Sequence, residues 1–351
     1  MAHNILMTGA SGYLGGTLLA KWEQANVKGY DKLYALVRNP EHAKAVGRYG
    51  AEPLTFDVTD EHAVKDAVIL NGISIVYYII DAVKSEGQLN FIKALAEVKK
   101  TSGRDVHLLH TTGAKMFSSL TGAPVDRPLL DSEPNIFEIH KAQQAPYKMM
   151  QTPISTNVDI TEQGEKHGVK TYIFAPCIVY GKGEGFGNPI SIQTVEIVKA
   201  AKATGRVYKI RDDRPTWPVC NVVDNANLYI ELLRAILEGN NPDHGRDGFY
   251  LASSGLITWD DLYTAMANSL AERNVIKNNA VILADDEAKE NIAKALGGTK
   301  ETVEIRISGK STYTADRAKK LGWKPQYSPE HILEDAGNEV GLILETLQSR
   351  Q

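Results

Sequence analysis

Short apolar runs alternate with amphipathic segments along the first half of the chain, and this alternation predicts strands and helices in turn. The run Ser74–Ile80 is apolar at almost every position, which is typical of a central strand with both faces buried in a parallel sheet. The other predicted strands are Asn4–Thr8, Lys32–Val37, Leu54–Phe56, Val106–His110 and Thr171–Phe174, and the predicted helices are Gly12–Glu23, Leu89–Lys100 and Val158–His167. The pattern therefore predicts an α/β fold on a doubly wound parallel sheet, with ligand sites at the carboxyl ends of its strands.

The second half of the chain is less regular. Its predicted elements are a late strand at Gly248–Ala252 and amphipathic helices at Trp259–Ala271 and Asp286–Leu296. We therefore expect a first domain over residues 1–180, to which residues 219–252 return, and a smaller C-terminal α+β lobe that makes up most of residues 181–351.

One segment interrupts the alternation of strands and helices. Ser118–Ser155 is rich in Pro, Asp, Ser and Gln, and a long irregular segment within a compact domain is often functional. We interpret it either as part of a wall of the substrate site or as a plain connecting loop. Substrate contacts are expected from Ser118–Tyr147 and from Gly183–Trp217.

Charge and composition narrow the classes of ligand. The 39 Lys and Arg residues against 43 Asp and Glu residues give a net charge of −4, so the chain lacks the broad basic surface that binds nucleic acid. The two cysteines, Cys177 and Cys220, form no CxxC pair, and no Cys/His cluster has zinc spacing, so we expect no metal site. Without an apolar stretch of about 18 residues or a signal-peptide pattern, we expect a cytoplasmic protein that binds no membrane.

The strongest motif is the sequence TGASGYLG at Thr8–Gly15, which follows the first predicted strand and opens a helix. In such a turn Gly9 permits the tight bend, Gly12 lets the backbone approach a pyrophosphate, and Gly15 allows close packing of helix on sheet. The free N–H groups and the positive end of the helix dipole then face the phosphates. The motif predicts a nicotinamide dinucleotide at this turn, with Ser11, Tyr13 and Leu14 as further contacts.

The end of the second strand distinguishes between NAD and NADP. NAD-binding proteins place Asp or Glu there to hold the ribose 2′-hydroxyl, whereas this chain has Arg38 followed by Asn39. A guanidinium forms charge-assisted hydrogen bonds with a 2′-phosphate, so the sequence favours NADP(H). The alternative is a solvated surface arginine. We further expect Asp57 and Val58 to flank the adenine and Ile80 and Asp81 to lie near the centre of the cofactor.

Several segments resemble the extended and atypical short-chain dehydrogenase/reductase superfamily, and more narrowly the fungal NmrA-like and epimerase-like reductases. TGASGYLG is similar to the family pattern TGxxGxxG, and VHLLHTTGA at Val106–Ala114 resembles the segment that carries the family's Ser/Thr at Thr112. TYIFAPCIVYGKG at Thr171–Gly183 resembles RPxxVYGxG, and TADRAKKLGWKP at Thr314–Pro325 resembles a C-terminal family motif. The resemblance implies a Rossmann domain of about seven strands, a substrate lobe and a cleft between them. It also implies nicotinamide contacts by Thr111, Pro176 and Ile178, and leaves a homodimer open.

The chain departs from the family at the catalytic Tyr–Lys pair. Family reductases carry YxxxK, but the corresponding positions here are Met149 and Pro153. In one interpretation Tyr147 is a displaced proton donor, Thr112 orients the substrate oxygen, and Lys115 or Lys148 supplies the positive charge. In the other, Tyr147 is ordinary packing or substrate wall and the usual proton relay is missing.

Three functions remain open at this point. The first is an NADPH-dependent reductase that delivers hydride to a C=O, C=N or activated C=C group of a bulky small molecule, in fungal secondary metabolism and in some cases coupled to cyclisation. The second is a sugar-nucleotide epimerase or dehydratase, although that chemistry needs a base to oxidise an alcohol. The third is an NmrA-like regulator that binds NADP without turnover.

Overall fold

The computed structural model describes residues Ala2–Arg350, so Met1 and Gln351, the outer ends of the two predicted domains, lie outside the described residues. The strands are β1 His3–Met7, β2 Tyr30–Leu36, β3 Glu52–Leu54, β4 Ile73–Tyr78, β5 His107–Thr111, β6 Leu129–Leu130, β7 Lys170–Ala175, β8 Ile178–Tyr180, β9 Tyr208–Lys209, β10 Thr216–Asn221, β11 Phe249–Leu251, β12 Gly255–Thr258, β13 Ile282–Leu283 and β14 Tyr313–Thr314. The helices are α1 Tyr13–Gln24, α2 Pro40–Gly47, α3 Glu61–Leu70, α4 Glu86–Ser102, α5 Ile136–Lys141, α6 Gln151–His167, α7 Gln193–Thr204, α8 Val222–Leu237, α9 Trp259–Glu272, α10 Asp286–Leu296, α11 Lys300–Ile307, α12 Asp316–Lys320, α13 His331–Glu334 and α14 Ala336–Ser349.

The central sheet has seven parallel strands in the order β3-β2-β1-β4-β5-β7-β11. Every residue of β4 is buried, in agreement with its continuous apolar sequence. The strand order reverses direction between β1 and β4, and such a switch point opens a crevice at the carboxyl ends of the strands. The predicted doubly wound α/β class is confirmed, and the predicted strands shift by one or two residues at their ends.

The helix before β7 begins earlier than its sequence suggests. The sequence pattern predicts it over Val158–His167, yet α6 starts at Gln151. Pro153 lies in the first turn of α6, where backbone N–H groups have no partner within the helix, so the missing donor costs nothing. The preceding residues Lys148–Met150 form a single 3-10 turn.

The C-terminal part of the chain contributes strands to a small separate sheet and to the central sheet. β8, β10 and β12 form a separate three-stranded sheet, while β11 pairs with β7 at the edge of the central sheet and α8 packs against α1. The segment Ser118–Ser155 holds α5 and the short strand β6, which pairs with β14 near the other end of the chain. No helix within Ala2–Arg350 combines the length and apolar character needed to cross a membrane.

Two helical glycines are expected to respond in opposite directions to the same substitution. A Cβ at Gly164 on α6 would collide with the Thr171 side chain of β7, whereas one at Gly47 on α2 would meet no atom within 4 Å. We expect Gly164→Ala to lower the free energy of unfolding by about 1–2 kcal/mol through overpacking. Gly47→Ala should raise it by about 0.5–1 kcal/mol, because alanine favours the helix. Urea unfolding followed by circular dichroism measures both, and equal effects of the two substitutions would contradict the packing of α6 on β7.

Candidate functional site

The turn between β1 and α1 is shaped by two glycines. Gly9 has a φ of +72°, and a Cβ there would lie 2.9 Å from the Ile79 carbonyl oxygen. A Cβ on Gly15 would overlap the Gly9 carbonyl group, so the helix starts directly against the end of the strand. Gly12, the N-cap of α1, has no side chain to satisfy the first N–H groups of the helix, and no acidic residue occupies its first turn. Those N–H groups and the helix dipole are therefore available to an anion.

Thr8 fixes the ends of the two strands at the switch point. Its backbone N–H and its hydroxyl both donate to the Tyr77 carbonyl oxygen, at 2.9 and 3.1 Å. The same hydroxyl accepts from the Ile79 N–H at 2.8 Å. One side chain therefore ties the ends of both strands together beside the crevice.

Two adjoining cavities extend from this turn and share Gly9, Ile80 and Asp81. The β2-side cavity has a volume of about 590 Å³, and its lining includes Ser11, Arg38, His42, Phe56, Asp57, Val58, Lys84 and Glu86. The β5-side cavity has a volume of about 390 Å³, and its lining includes Gly12, Tyr13, Leu14, Gly15, Thr111, Thr112, Lys115, Met116, Pro176, Cys177, Ser191, Ile192, Gln193 and Trp217. Two connected cavities on either side of an uncapped helix start fit a dinucleotide, with its phosphates at the helix and one nucleoside in each cavity.

In the β2-side cavity, Arg38 is exposed and makes no ion pair or side-chain hydrogen bond with any other residue that the structure describes. Asn39 lines neither cavity. Its side chain instead accepts from the His42 N–H at 2.8 Å and caps α2. Asp57 accepts from the N–H and the hydroxyl of Thr59, which lower the pKa of its carboxyl and keep it ionised.

The predicted nicotinamide contacts divide into two groups. Thr111 and Pro176 line the β5-side cavity, although the Thr111 hydroxyl is already 2.6 Å from the Tyr229 hydroxyl. Ile178 is fully buried and lines neither cavity, so its predicted contact with the cofactor is not supported. Successive side chains of a strand point to opposite faces, and the neighbours Cys177 and Val179 line the cavity instead.

Thr112 and Lys115, two of the three predicted catalytic residues, line the same cavity. The Thr112 hydroxyl is buried and has no hydrogen-bond partner among the described residues. Lys115 is half-buried and also lacks any hydrogen bond or ion pair from its amine within the described chain. Burial lowers the pKa of Lys115, and Arg306 lowers it further, while Glu196 acts in the opposite direction.

Tyr147, the third predicted catalytic residue, does not join Thr112 and Lys115 in the β5-side cavity. It lines neither cavity, and its hydroxyl donates to a Glu304 carboxylate oxygen at 2.9 Å. Burial, together with that carboxylate, raises the pKa of Tyr147 to about 12. Arg211 donates to the other oxygen of Glu304 at 2.9 Å, so the tyrosine belongs to a contact between the segment before α6 and the C-terminal lobe.

One of the two segments expected to contact the substrate lines the β5-side cavity. Asn188, Ser191, Ile192, Gln193 and Trp217 line the β5-side cavity and lie within Gly183–Trp217, whereas no residue of Ser118–Ser155 lines either cavity. The sequence did not single out Met116, Ser191, Ile192 or Gln193. Ile192 is 63% exposed, which is unusual for isoleucine, but exposure cannot be read from the sequence.

Comparisons with known proteins agree with this geometry. The model of the NAD dependent epimerase/dehydratase family matches residues 5–245. Among solved structures, UDP-glucose 4-epimerase from Thermotoga maritima is 15% identical, with a TM-score of 0.63 over 98% of this chain and 99% of that one. UDP-glucose 4-epimerase from Thermus thermophilus, in complex with NAD, is 13% identical with a TM-score of 0.62 over 96% and 99% of the two chains.

A dehydrogenase shares the fold as well. L-threonine dehydrogenase from Phytophthora infestans is 15% identical, with a TM-score of 0.60 over 97% of this chain and 99% of that one. The search of curated proteins finds no sequence match. At these identities the solved structures establish the fold, and the family match covers more than half of the sequence. The chain is therefore a member of the NAD dependent epimerase/dehydratase family.

Proposed function

We propose that the chain is an NADP(H)-dependent reductase that delivers hydride to a C=O, C=N or activated C=C group of a bulky small molecule. The observation that carries the proposal is the pair of joined cavities, with Arg38 at one end and Thr112 and Lys115 at the other. On the sequence resemblance alone, we also propose a cytoplasmic role in fungal secondary metabolism, with cyclisation after reduction as a variant. The homodimer expected from that resemblance stays part of the proposal.

The preference for NADP(H) is supported by charge at the β2-side cavity. Arg38 stands at the position after β2 where an NAD-binding protein has a carboxylate, and it is free to meet a phosphate. Lys84 and His42 line the same cavity, but so do Asp57, Asp81 and Glu86, so the support comes from the position of Arg38 and not from the net charge of the cavity. A ribose 2′-phosphate would accept charge-assisted hydrogen bonds from the guanidinium, which a 2′-hydroxyl cannot match.

The reductase assignment is supported by the lining of the β5-side cavity. When bound, the nicotinamide supplies the hydride, and the chain provides position and electrostatics. Thr112 and Lys115 offer an unpartnered hydroxyl and an amine to a polar atom of the substrate. Met116, Ile192 and Trp217 offer apolar surface to the rest of the molecule, which suits a bulky substrate of low polarity.

An epimerase or dehydratase is the second candidate, because the family and the similar structures favour it. That reaction starts by removing a proton from an alcohol, which needs a base beside the nicotinamide. Tyr13 is the single tyrosine among the described residues that line the cavity, and its hydroxyl donates to the Gly181 carbonyl oxygen at 2.6 Å. Lys115 would act as that base only as a neutral amine, whereas its ammonium form donates a proton, so the lining favours reduction over alcohol oxidation.

Transfer of deuterium tests the proposed function directly. The full chain is incubated with NADPH deuterated on one face of C4, separately for each face, and with a panel of ketones, quinones and iminium salts. We expect deuterium in the product from one face only. Binding of NADPH without transfer to any acceptor would favour the regulator, and tightly retained NAD in the purified protein would favour the epimerase.

Arg38→Asp tests the choice of cofactor. We expect the affinity for NADPH to fall about 10- to 100-fold, because the variant loses a charge-assisted contact with the 2′-phosphate and gains a carboxylate that repels it. The affinity for NADH should change less than about threefold. Fluorescence titration of both dinucleotides measures the effect. Arg48→Asp, at the end of α2 and outside both cavities, is the matched control for net charge. Equal weakening of NADPH and NADH by Arg38→Asp would rule out an NADP-specific contact.

Tyr147→Phe tests the displaced-donor interpretation. Because the hydroxyl is hydrogen-bonded to Glu304 outside the cavity, we expect turnover within about threefold of the parent. The free energy of unfolding should fall by about 1 kcal/mol for the lost hydrogen bond. Steady-state kinetics and urea unfolding measure the two effects, and a loss of turnover above about 100-fold would restore Tyr147 to the mechanism.

A further inference from the structure

Lys115 lies on a rigid support beside the candidate nicotinamide site. It belongs to the 3-10 turn Ala114–Phe117, which directly follows β5 and Thr112. The Ala114 N–H donates to the Pro176 carbonyl oxygen at 2.8 Å, and the Ser118 hydroxyl donates to the Lys115 carbonyl oxygen at 2.7 Å. The backbone of Lys115 is therefore fixed, while its side chain lines the cavity and its amine has no partner in the described chain.

The other titratable groups that line this cavity are engaged or unsuited to donating a proton. Tyr13 donates its hydroxyl to Gly181, as described above. The Asp81 carboxylate accepts from the N–H groups of Val83 and Lys84 at 2.7 and 3.2 Å. Burial raises the pKa of the Cys177 thiol well above its usual range, so it holds its proton tightly. Lys115 is left as the one cationic donor among the described residues of the lining.

We propose that Lys115 is the proton donor of the reduction, in the place that the family gives to tyrosine, and that Thr112 orients the substrate oxygen. The inference rests on the proposed function and adds a catalytic residue to it. The carbonyl carbon would gain a hydride, which a bound NADPH would supply, and the electron pair of the C=O π bond would move to oxygen. That oxygen takes a proton from the Lys115 ammonium, which leaves an alcohol, NADP⁺ and a neutral amine. Solvent then returns one proton to the amine.

The electrostatic surroundings suit this role. Glu196 and Arg306 are the charged groups that act on the Lys115 amine, and Arg306 donates to Glu196 from its Nε at 2.9 Å. Both contacts from the guanidinium go to Oε1 of Glu196, and Oε2 has no hydrogen-bond partner among the described residues. The carboxylate forms no ion pair with Lys115 in the described chain. Burial lowers the pKa of Lys115, which brings an amine closer to the range in which a general acid works efficiently.

The central experiment compares two classes of acceptor in the Lys115→Met variant of the full chain. The carbonyl probe is 9,10-phenanthrenequinone, whose oxygen must be protonated. The iminium probe is N-methyl-3,4-dihydroisoquinolinium, whose reduction needs no proton. We expect kcat for the quinone to fall about 100- to 10,000-fold at neutral pH. For the iminium probe we expect a change below about fivefold.

Further variants separate proton donation from charge. Lys115→Arg keeps the positive charge but is a poor acid, so it should fail to restore quinone reduction. Lys166→Met, on the exposed face of α6, should leave both reactions unchanged. In the parent, kcat for the quinone should fall as the pH rises through the Lys115 pKa, because a general acid must be protonated. Lys115→Met should lack that alkaline limb.

A measurement other than turnover tests the protonation state of the Lys115 amine. Trace acetylation with mass spectrometry at increasing pH should modify Lys115 at lower pH than Lys166, and NADP⁺ should protect Lys115 but not Lys166. NADPH affinity of Lys115→Met should stay within about threefold. Equal loss of quinone and iminium reduction, or full quinone reduction by Lys115→Met, would overturn the role of Lys115 and leave the proposed reductase standing. A parent chain that transfers hydride to no acceptor would overturn the proposed function, and the inference with it.

Discussion

The contact between the Gly9 carbonyl group and Gly15 is the constraint on which the site depends. Any side chain at Gly15 would collide with that carbonyl, so only glycine lets α1 start against the end of β1. The helix start then projects its free N–H groups into the crevice that the strand order opens between β1 and β4. Both cavities adjoin this one turn, and a phosphate pair between them would be held by backbone rather than by a basic side chain.

The C-terminal part of the chain completes the wall that this turn leaves open. Asn188 donates its N–H to the Ser11 carbonyl oxygen at 3.0 Å, which ties the segment after β8 to the glycine turn. The same segment is held from the far end of the chain by buried Glu339. Its carboxylate accepts from the Gly181 N–H at 2.9 Å and from the Thr194 hydroxyl at 2.6 Å. The position of this cavity wall therefore depends on residues that lie far apart in the sequence.

The sequence predicts what depends on local pattern. Apolar runs indicate the strands of the central sheet, and the glycine spacing indicates the turn, because both follow from the geometry of neighbouring residues. Long-range contacts escape this reasoning. Tyr147 looks available beside Lys148, but the carboxylate that accepts its hydroxyl is on α11, far along the chain. Asn39 looks like a cofactor contact, but its side chain caps α2. Ser191 and Ile192 reach the cavity only because α7 packs in the C-terminal lobe.

The unpaired state of Lys115 has a structural cause that also bears on the substrate. Glu196 is the carboxylate that acts on this amine, and a direct ion pair between the two would keep the lysine from interacting with a substrate. Glu196 instead pairs with Arg306, whose guanidinium also donates to the Leu296 carbonyl oxygen at the end of α10. A half-buried ammonium without a partner destabilises the empty protein, and folds retain such groups mainly where a ligand relieves the cost. Under the proposed function that ligand is a carbonyl substrate beside Thr112, whose oxygen gains negative charge during reduction and is stabilised most at the transition state.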